Sequence, residues 1–364
     1  MSPPSRIRQL HDAGVSVWLD DLSRRLLDDG VLERYVAQHR VSGVTSNPTI
    51  FASALHDRHR YDAGIDDLLA NGMRDPRELY LALALGDVGD AARLLRDVHV
   101  DSGGRDGYAS FECTPDVAHD SGATVRQAVR AWRRVAAPNL MVKVPATPAG
   151  MVAIEQLTAS GINVNVTLIF SADQYERAAR AYQRGIAARA ARGESLGTVR
   201  SVASVFVSRL DARLLDVAGP GGPSDSIAIA NAQAVYMRAQ ALFAEPAWRR
   251  LAARGAHAQR PLWASTAPKT PGFSEVAYVE ALAMPDAIVT VPEKTLLAFA
   301  AVGIPGVGRP DERRASAVLA DAASRGVDLR RIGVELQAAG LRAFGDAYAA
   351  ALDVLCPAAI GVGS

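Results

Sequence analysis

The chain has 364 residues, of which 49% are hydrophobic and 22% are charged, with a formal net charge of +1. This composition is typical of a globular protein, and the near-neutral charge gives no electrostatic reason to expect nucleic acid or an acidic membrane as a partner. The length alone would allow two domains, but α/β barrels with insertions often reach it as one, so we expect one large core.

The cysteine content and the N-terminal residues bear on the compartment. Two cysteines, Cys113 and Cys356, are too few for a disulfide framework, and no zinc-type spacing is present. The first 14 residues contain no apolar signal segment, and no apolar run reaches the roughly 18 residues of a membrane span. We therefore expect a cytoplasmic protein that is neither exported nor inserted in a membrane.

Short apolar segments rich in β-branched residues alternate with helical segments rich in alanine, arginine and leucine. In chain order, the predicted strands are 15–20, 41–47, 108–113, 140–145, 163–170, 202–208, 261–266 and 287–292. Such alternation is typical of parallel βαβ units. Eight of these units predict a (β/α)8 TIM barrel.

Helix-start signals follow several of these strands. Ser171 with Gln174 three residues later forms a possible capping box, and Pro148 and Pro292 suit first helical positions. These residues place helices directly after the fourth, fifth and eighth predicted strands.

Two segments are too long for a single crossover. Residues 48–107 should add extra helices between strands 2 and 3, and residues 311–355 should form a helical C-terminal extension. The glycine- and proline-rich stretch at 219–226 is typical of a flexible loop. We expect residues 1–364 to form one barrel domain that carries these additions.

Polar residues recur near the ends of the predicted strands, in otherwise apolar sequence. They are Asp20, Asn47, Glu112, Lys143, Asn165, Thr167, Ser204 and Arg209. One such residue would often be a hydrogen-bonded core residue or a helix cap. Eight in equivalent positions indicate a site, because catalytic groups of a barrel lie at the carboxyl ends of its strands.

Lys143 is the most informative of these residues. Only three of the 40 basic residues are lysines, which leaves 37 arginines. A GC-rich genome would explain that bias but not its exceptions. Burying an ammonium group is costly unless it is paired, and only a lysine can lose its proton and attack a carbonyl. The sequence therefore predicts Lys143 as a nucleophile, with a paired structural lysine as the alternative.

Six segments together carry a resemblance to a known family. They are "WLDDLSR", "GVTSNPTIF", "FEC", "MVKVPATPAGMVAIEQL", "GINVNVTLIFS" and "SVFVSRLD". The chain resembles transaldolases, in particular the longer actinobacterial type, from about Ile7 to Leu355. The resemblance implies a class I aldolase-like barrel with its Schiff-base lysine on the fourth strand, which is where Lys143 lies in our strand order.

By this resemblance, Asp20 corresponds to the acid/base that takes the proton from the C4 hydroxyl of the donor sugar. Asp21 is the rival, but side chains alternate along a strand, so only one of the two can point into the barrel. A helix cap is the alternative for either carboxylate. Glu112 and Thr167 resemble the pair that holds a water molecule for proton transfer during imine formation.

The resemblance also implies donor-binding groups. Asn47, Asn165 and Ser204 resemble the residues that hydrogen-bond the dihydroxyacetone unit. Thr45 should either support Asn47 or simply pack in its strand. Phe206 resembles an aromatic residue near the donor, although an aromatic residue on a strand is by default part of the core.

A phosphate group at the far end of the substrate requires cations. Arg209 resembles the family's first phosphate ligand, and its guanidinium can bind two oxygens. Shorter members place a second arginine after a serine on strand 7, whereas this chain has Ser265 followed by Lys269. We expect Lys269, with Ser265, to complete the site. The alternative is a solvated loop lysine.

The resemblance implies an enzyme of the non-oxidative pentose phosphate pathway. It would transfer a dihydroxyacetone unit from sedoheptulose 7-phosphate to glyceraldehyde 3-phosphate. No metal or organic cofactor is needed, because the imine acts as the electron sink. The expected partners are sugar phosphates, and either a monomer or a homodimer is compatible with the sequence. The alternatives are a class I aldolase that releases free dihydroxyacetone, or a non-catalytic barrel that binds phosphosugars.

Overall fold

The computed structural model describes residues 5–218, 226–269 and 272–356. Except for Ser226, the predicted loop at 219–226 lies outside these ranges. The strands are β1 Ser16–Leu19, β2 Gly43–Thr45, β3 Tyr108–Glu112, β4 Leu140–Pro145, β5 Val164–Ile169, β6 Ser201–Phe206, β7 Arg260–Ala264 and β8 Ile288–Val291. They form a closed parallel barrel in sequence order, in which β8 pairs with β1. The predicted (β/α)8 fold and its eight strands are confirmed.

The helices of the described ranges surround this barrel. They are α1 Arg6–Asp12, α2 Arg24–Asp28, α3 Val31–His39, α4 Pro48–Leu55, α5 Asp62–Ala70, α6 Pro76–Leu94, α7 Arg96–Asp101, α8 Ser121–Val135, α9 Pro148–Ala159, α10 Ala172–Ala191, α11 Ser208–Ala218, α12 Ile227–Phe243, α13 Pro246–Ala252, α14 Ala277–Leu282, α15 Glu293–Val302, α16 Glu312–Ser324 and α17 Leu329–Val354. Two short 3-10 helices lie at Arg58–Arg60 and Pro115–Val117. None of these helices has the length and apolar character needed to cross a bilayer.

The strands are buried on both faces. In β4, Leu140, Val142 and Val144 pack in the apolar layer between the barrel and the helices, while Met141 belongs to the cluster inside the barrel. Lys143 is two residues after Met141, so its side chain also points into the barrel. A strand covered on both faces reads as a nearly continuous apolar run, so an inward polar residue stands out in the sequence.

Local signals at the helix starts act largely as predicted. Pro148 is the first residue of α9, whereas Pro292 is the N-cap of α15 and lies one residue before the predicted position. Ser171 caps α10 by accepting a hydrogen bond from the backbone N–H of Gln174. The reciprocal bond of a capping box is absent, because Gln174 Oε1 accepts from the N–H of Phe170 instead.

Two glycines allow close approaches that position the barrel interior and the α9 start. A Cβ on Gly43 would lie 2.4 Å from Trp18 Cδ2, so the indole can fill the barrel only because β2 has no side chain there. A Cβ on Gly150 would lie 2.0 Å from the carbonyl oxygen of Pro145. Glycine therefore lets the first turn of α9 sit against the end of β4, directly after Lys143.

The final helix, α17, crosses the mouth of the barrel. It contacts α4 on one side and β5, α10 and α11 on the other. Phe344, on its inward face, belongs to the apolar cluster inside the barrel, together with Phe206 of β6. The C-terminal helix thus forms part of the wall at the carboxyl ends of the strands.

Candidate active site

A cleft opens at the carboxyl ends of the strands, with about 480 Å³ of empty space that is partly open to solvent. Ten of the twelve predicted site residues line it: Asp20, Thr45, Asn47, Lys143, Thr167, Ser204, Phe206, Arg209, Ser265 and Lys269. The other two, Glu112 and Asn165, lie directly behind lining residues. Five of these ten residues lie on strands, and the other five follow β1, β2, β6 and β7, so all of them converge where the carboxyl ends of the strands meet.

Lys143 lies at the base of the cleft and is 5% exposed. Its Nζ donates to the backbone carbonyl of Ser46 at 2.8 Å and lies 2.9 Å from Oε2 of Glu112. Glu112 is equally buried, and burial raises the pKa of its carboxyl, an effect that the Lys143 ammonium opposes. The pair is therefore arranged so that Glu112 can accept the proton that Lys143 must lose before it attacks a carbonyl.

Asp20 directly follows β1 and lines the same cleft as Lys143. The hydroxyl of Thr45 donates to Asp20 Oδ1 at 2.6 Å. The Thr45 hydroxyl therefore supports Asp20, and its support of Asn47 stays a prediction. Asn47 lines the cleft and also caps α4, since its Oδ1 accepts from the N–H of Ile50 at 3.0 Å.

Asp21 points away from this cleft. It lines a separate surface groove that also includes Ser23 and Arg25. Burial raises the pKa of its carboxyl, and the charge of Glu293 adds to the effect. The structure thus places Asp20, and not Asp21, in the cleft that Lys143 lines. Side-chain alternation separates the two, and the family resemblance favoured Asp20.

Asn165 is fully buried behind Ser204. Its Oδ1 accepts from Ser204 Oγ at 2.7 Å, and its Nδ2 donates to Ser110 Oγ at 3.2 Å. A donor sugar in the cleft would meet the Ser204 hydroxyl first. Asn165 orients that hydroxyl and reaches the cleft surface only through it.

Thr167 has a buried hydroxyl with no hydrogen-bond partner among the described residues. It lines the cleft from β5, the strand next to Lys143. A buried polar group without a partner is costly and rare in folded proteins. Such a hydroxyl is well placed to meet a ligand or a reacting water molecule.

Two cations, Arg209 and Lys269, also line the cleft. The Arg209 guanidinium lies over the Phe206 ring, with Cζ 5.3 Å from its centroid. Burial lowers the pKa of Arg209, while Asp20 and Glu112 oppose this change. Lys269 is exposed at the rim, yet partial burial of its ammonium and the Arg209 charge lower its pKa. The two cations together suit a doubly charged anion.

Ser265 has a left-handed backbone, with φ of 56°. Its hydroxyl lies 2.9 Å from that of Ser208, and its carbonyl accepts from the Ser208 N–H at 2.9 Å. These contacts tie the end of β7 to the start of α11, the helix that carries Arg209. Nothing in the local sequence predicts this conformation.

Sequence reasoning missed several lining residues. They are Leu262, Ala264 and Thr290. Thr290 could have been found, because it lies near the end of β8 and two residues after Ile288, which points into the barrel. Within the described ranges, no group of three or more His, Cys, Asp or Glu side chains is arranged to hold a metal ion.

Comparison with known proteins extends over almost the whole chain. The sequence model of the family described as Transaldolase/Fructose-6-phosphate aldolase matches residues 17–355. A protein named Transaldolase from Parafrankia sp. is 41% identical over 363 residues, which is 98% of each chain. Proteins of the same name from Thiobacillus denitrificans and Frankia alni are 44% and 42% identical. Those two alignments cover 93% and 96% of this chain and 96% and 95% of the relatives.

Proposed function

The chain belongs to the transaldolase/fructose-6-phosphate aldolase family, and from this premise we propose that Lys143 carries the donor sugar as a Schiff base. The enzyme is a transaldolase. It transfers a dihydroxyacetone unit from sedoheptulose 7-phosphate to glyceraldehyde 3-phosphate, which gives erythrose 4-phosphate and fructose 6-phosphate in the non-oxidative pentose phosphate pathway. The observation that carries the assignment of Lys143 is its burial at the base of the cleft, 2.9 Å from Glu112.

The first step joins donor and enzyme. Lys143 transfers a proton toward Glu112, and its amine attacks the C2 carbonyl of the ketose to form a carbinolamine. Loss of water, for which Glu112 and the unpaired hydroxyl of Thr167 supply and remove protons, leaves a protonated imine. The positive nitrogen then acts as the electron sink for the next step.

Cleavage and transfer depend on Asp20. Its carboxylate takes the proton of the C4 hydroxyl while the C3–C4 bond breaks, and an aldose leaves as an aldehyde. The bonding electrons pass to the imine and form an enamine. C3 of the enamine then attacks the acceptor aldehyde, Asp20 returns the proton to the new alkoxide, and water releases the product ketose. Thr45, which donates to Asp20 Oδ1, fixes the carboxylate for both transfers.

The remaining lining groups hold the substrate. Ser204, oriented by Asn165, and Asn47 hydrogen-bond the dihydroxyacetone unit near Lys143. Arg209 and Lys269 bind the terminal phosphate, supported by Ser265. Phe206 lines the cleft and holds the Arg209 guanidinium over its ring.

Two alternatives predict different chemistry in the same cleft. A class I aldolase would protonate the enamine and release free dihydroxyacetone, whereas a non-catalytic barrel would only bind phosphosugars. The similar proteins are named for transfer. A binding protein has no need of a buried amine paired with a carboxylate at the base of the cleft.

We also propose one domain for residues 1–364, with the additions at 48–107 and 311–355, because one closed barrel supplies every lining residue of the cleft.

We propose the cytoplasm as the compartment of the protein. Both cysteines are free in the structure, which agrees with a reducing environment.

Borohydride trapping tests the central assignment. Incubation with fructose 6-phosphate and sodium borohydride, followed by peptide mass mapping, should place a reduced three-carbon adduct on Lys143. Lys269 and Lys294 are internal controls, since an indiscriminate amine reaction would label these exposed lysines first. An adduct on either of them alone, or no adduct, would contradict the assignment. Assaying release of free dihydroxyacetone with and without an acceptor aldehyde separates transfer from aldol cleavage.

A further inference from the structure

The end of β5 is irregular at Leu168. This residue has φ of 57°, and the β5–β6 register runs from Val166 opposite Ala203 to Ile169 opposite Val205, so β5 contains one extra residue. A bulge of this kind places two consecutive side chains on the same face. Thr167 lines the cleft and Leu168 joins the apolar cluster inside the barrel.

A left-handed backbone is unfavourable for leucine, so the surroundings must hold it. Gln337 of α17 donates from Nε2 to the carbonyl of Leu168 at 3.0 Å. Asn231 of α12 donates to the carbonyl of Phe170, and Gln174 accepts from the Phe170 N–H. Of these three amide side chains, Gln337 is the one that bonds the bulged residue itself.

The face of α17 that rests on this bulge contains two glycines. Gly333, Gln337 and Gly340 follow a spacing of four and three residues and therefore share one side of the helix. A Cβ on Gly340 would lie 2.8 Å from Leu168 Cδ2, and one on Gly333 would lie 3.1 Å from Gln174 Oε1. Gly333 and Gly340 lie on either side of Gln337 on this face and have no side chains. The helix can therefore bring Gln337 within hydrogen-bond distance of β5.

The bulge bears directly on Thr167. The carbonyl of Thr167 accepts a hydrogen bond from the N–H of Ala146, and this bond ties Thr167 to the end of β4. Toward β6, the extra residue interrupts the regular pairing of β5 with β6 at Thr167. The Thr167 hydroxyl has no hydrogen-bond partner among the described residues, so the backbone and the packing around this buried side chain set its position.

We propose that Gln337 is a positioning residue for the reaction, acting through Leu168 to hold the Thr167 hydroxyl at the site of imine formation. The inference rests on the proposed function, since it requires a role for Thr167 in proton transfer at the Lys143 nitrogen. Without the Gln337 donor, the buried carbonyl of Leu168 loses its partner and the end of β5 relaxes. Small displacements of a catalytic group lower rates strongly, while substrate binding at Arg209 and Lys269 is unaffected.

The first experiment measures imine formation in single-turnover mixing with fructose 6-phosphate, quenched by borohydride. Gln337→Leu keeps a similar volume and removes the donor. We expect the rate of adduct formation on Lys143 to fall about tenfold, with affinity for the sugar phosphate changed by less than about twofold. An unchanged rate in a folded variant would overturn the inference.

A double-mutant cycle with Thr167→Val separates positioning from general damage. If Gln337 acts through the threonine hydroxyl, the tenfold effect should shrink to less than about twofold when that hydroxyl is already absent. A full tenfold effect in the Thr167→Val background would mean that Gln337 acts by another route, and the inference would be wrong.

Two glycine substitutions provide a matched pair that leaves Gln337 intact, in case Gln337→Leu folds poorly. Gly340→Ala pushes a methyl group into Leu168 and should slow imine formation about threefold or more. Gly345→Ala, five residues later on the same helix, meets nothing within 4 Å and should leave the rate unchanged. Equal rates for both variants would contradict the inference. If wild-type enzyme forms no adduct on Lys143, the proposed function itself fails, which is a distinct outcome.

Discussion

The barrel buries a charged pair at each end, and the two pairs differ in how completely they are bonded. At the mouth, Lys143 Nζ lies 2.9 Å from Glu112. At the amino ends of the strands, which form the floor of the barrel, Arg260 lies 3.3 Å from Asp106. Both carboxylates are nearly inaccessible to solvent, so each ion pair carries a desolvation cost in free energy.

The floor pair is fully bonded. Asp106 accepts hydrogen bonds from Ser16 Oγ at 2.7 Å, Trp18 Nε1 at 3.1 Å and the Arg260 guanidinium. The other Arg260 donors reach Ser16 Oγ and three backbone carbonyl groups. A network with every polar group satisfied fixes the strands in one arrangement and offers nothing to a ligand.

The mouth pair is incompletely bonded. The Lys143 ammonium has three hydrogens, donates one to the Ser46 carbonyl and forms an ion pair with Glu112 at 2.9 Å. Glu112 Oε2 and the Thr167 hydroxyl have no hydrogen-bond partner among the described residues. Arginine at the floor keeps its charge permanently, whereas lysine at the mouth can become a neutral nucleophile. The two pairs therefore differ in how completely their own polar groups are bonded and in the chemistry of their cation, and not in burial or charge alone.

Replacing Lys143 should show most clearly that the mouth pair serves catalysis and not stability. Lys143→Arg keeps a cation beside Glu112 but removes the nucleophile, so transaldolase turnover should fall at least about a thousandfold and no adduct should be trapped. The melting temperature should stay close to that of the wild type. Residual turnover above about a thousandth of the wild-type rate would contradict the nucleophile assignment.

Removing the floor carboxylate should have the opposite effect. Asp106→Ala leaves the Arg260 charge buried without its counterion, and we expect a loss of about 3–5 kcal/mol in the free energy of unfolding. Urea denaturation measures this loss, and turnover per folded molecule should remain near wild type. Asp12→Ala, which breaks the exposed pair with Arg40, is the control and should cost less than about 1 kcal/mol. A large drop in turnover per folded Asp106→Ala molecule would show that the floor also serves catalysis.

The acid/base assignment at the mouth can be tested independently of the nucleophile. Asp20→Asn should still form the imine, but C–C cleavage should slow by about 10²–10⁴ because the amide cannot accept the C4 hydroxyl proton. Trapped adduct should therefore persist while transfer falls. Asp21→Asn is the matched control in the neighbouring groove, and its transfer rate should change little. The reverse result would identify Asp21 as the acid/base.

The two cations of the cleft should control substrate binding and not chemistry. Arg209→Ala should raise KM for fructose 6-phosphate about tenfold or more, and Lys269→Ala should raise it by a smaller factor, because guanidinium binds two phosphate oxygens. Slow turnover of unphosphorylated fructose is the control and should barely respond to either change. An unaltered KM for Lys269→Ala would make Lys269 a surface residue only.

The smallest expected effect concerns pH. Partial burial and the Arg209 charge lower the pKa of Lys269, and a lysine is charged only below its pKa. Its contribution to phosphate binding should therefore disappear at a lower pH than for an ordinary lysine, and KM for fructose 6-phosphate should rise in the alkaline range. Lys269→Arg keeps its charge and should flatten that rise. Identical pH profiles for the two proteins would exclude a role for the Lys269 charge.

Sequence alone predicted the barrel and most of the cleft. The alternation of short apolar strands with helices is a local pattern, and it specified the (β/α)8 fold. Side-chain alternation put Asp20 and Asp21 on opposite faces, and the family resemblance favoured Asp20. The apolar run around Lys143 made that residue conspicuous. Ten of the twelve predicted residues line the cleft because strand ends converge in any such barrel.

Tertiary structure decided how those residues are held. The bond from Thr45 to Asp20, the floor network around Asp106 and the support of Leu168 by Gln337 join residues 25, 154 and 169 positions apart. No local pattern encodes such pairings, because each depends on the packing of elements that are distant in the chain. The left-handed backbones of Leu168 and Ser265 were equally unpredictable, since neither residue type favours that conformation and only the surrounding contacts stabilise it.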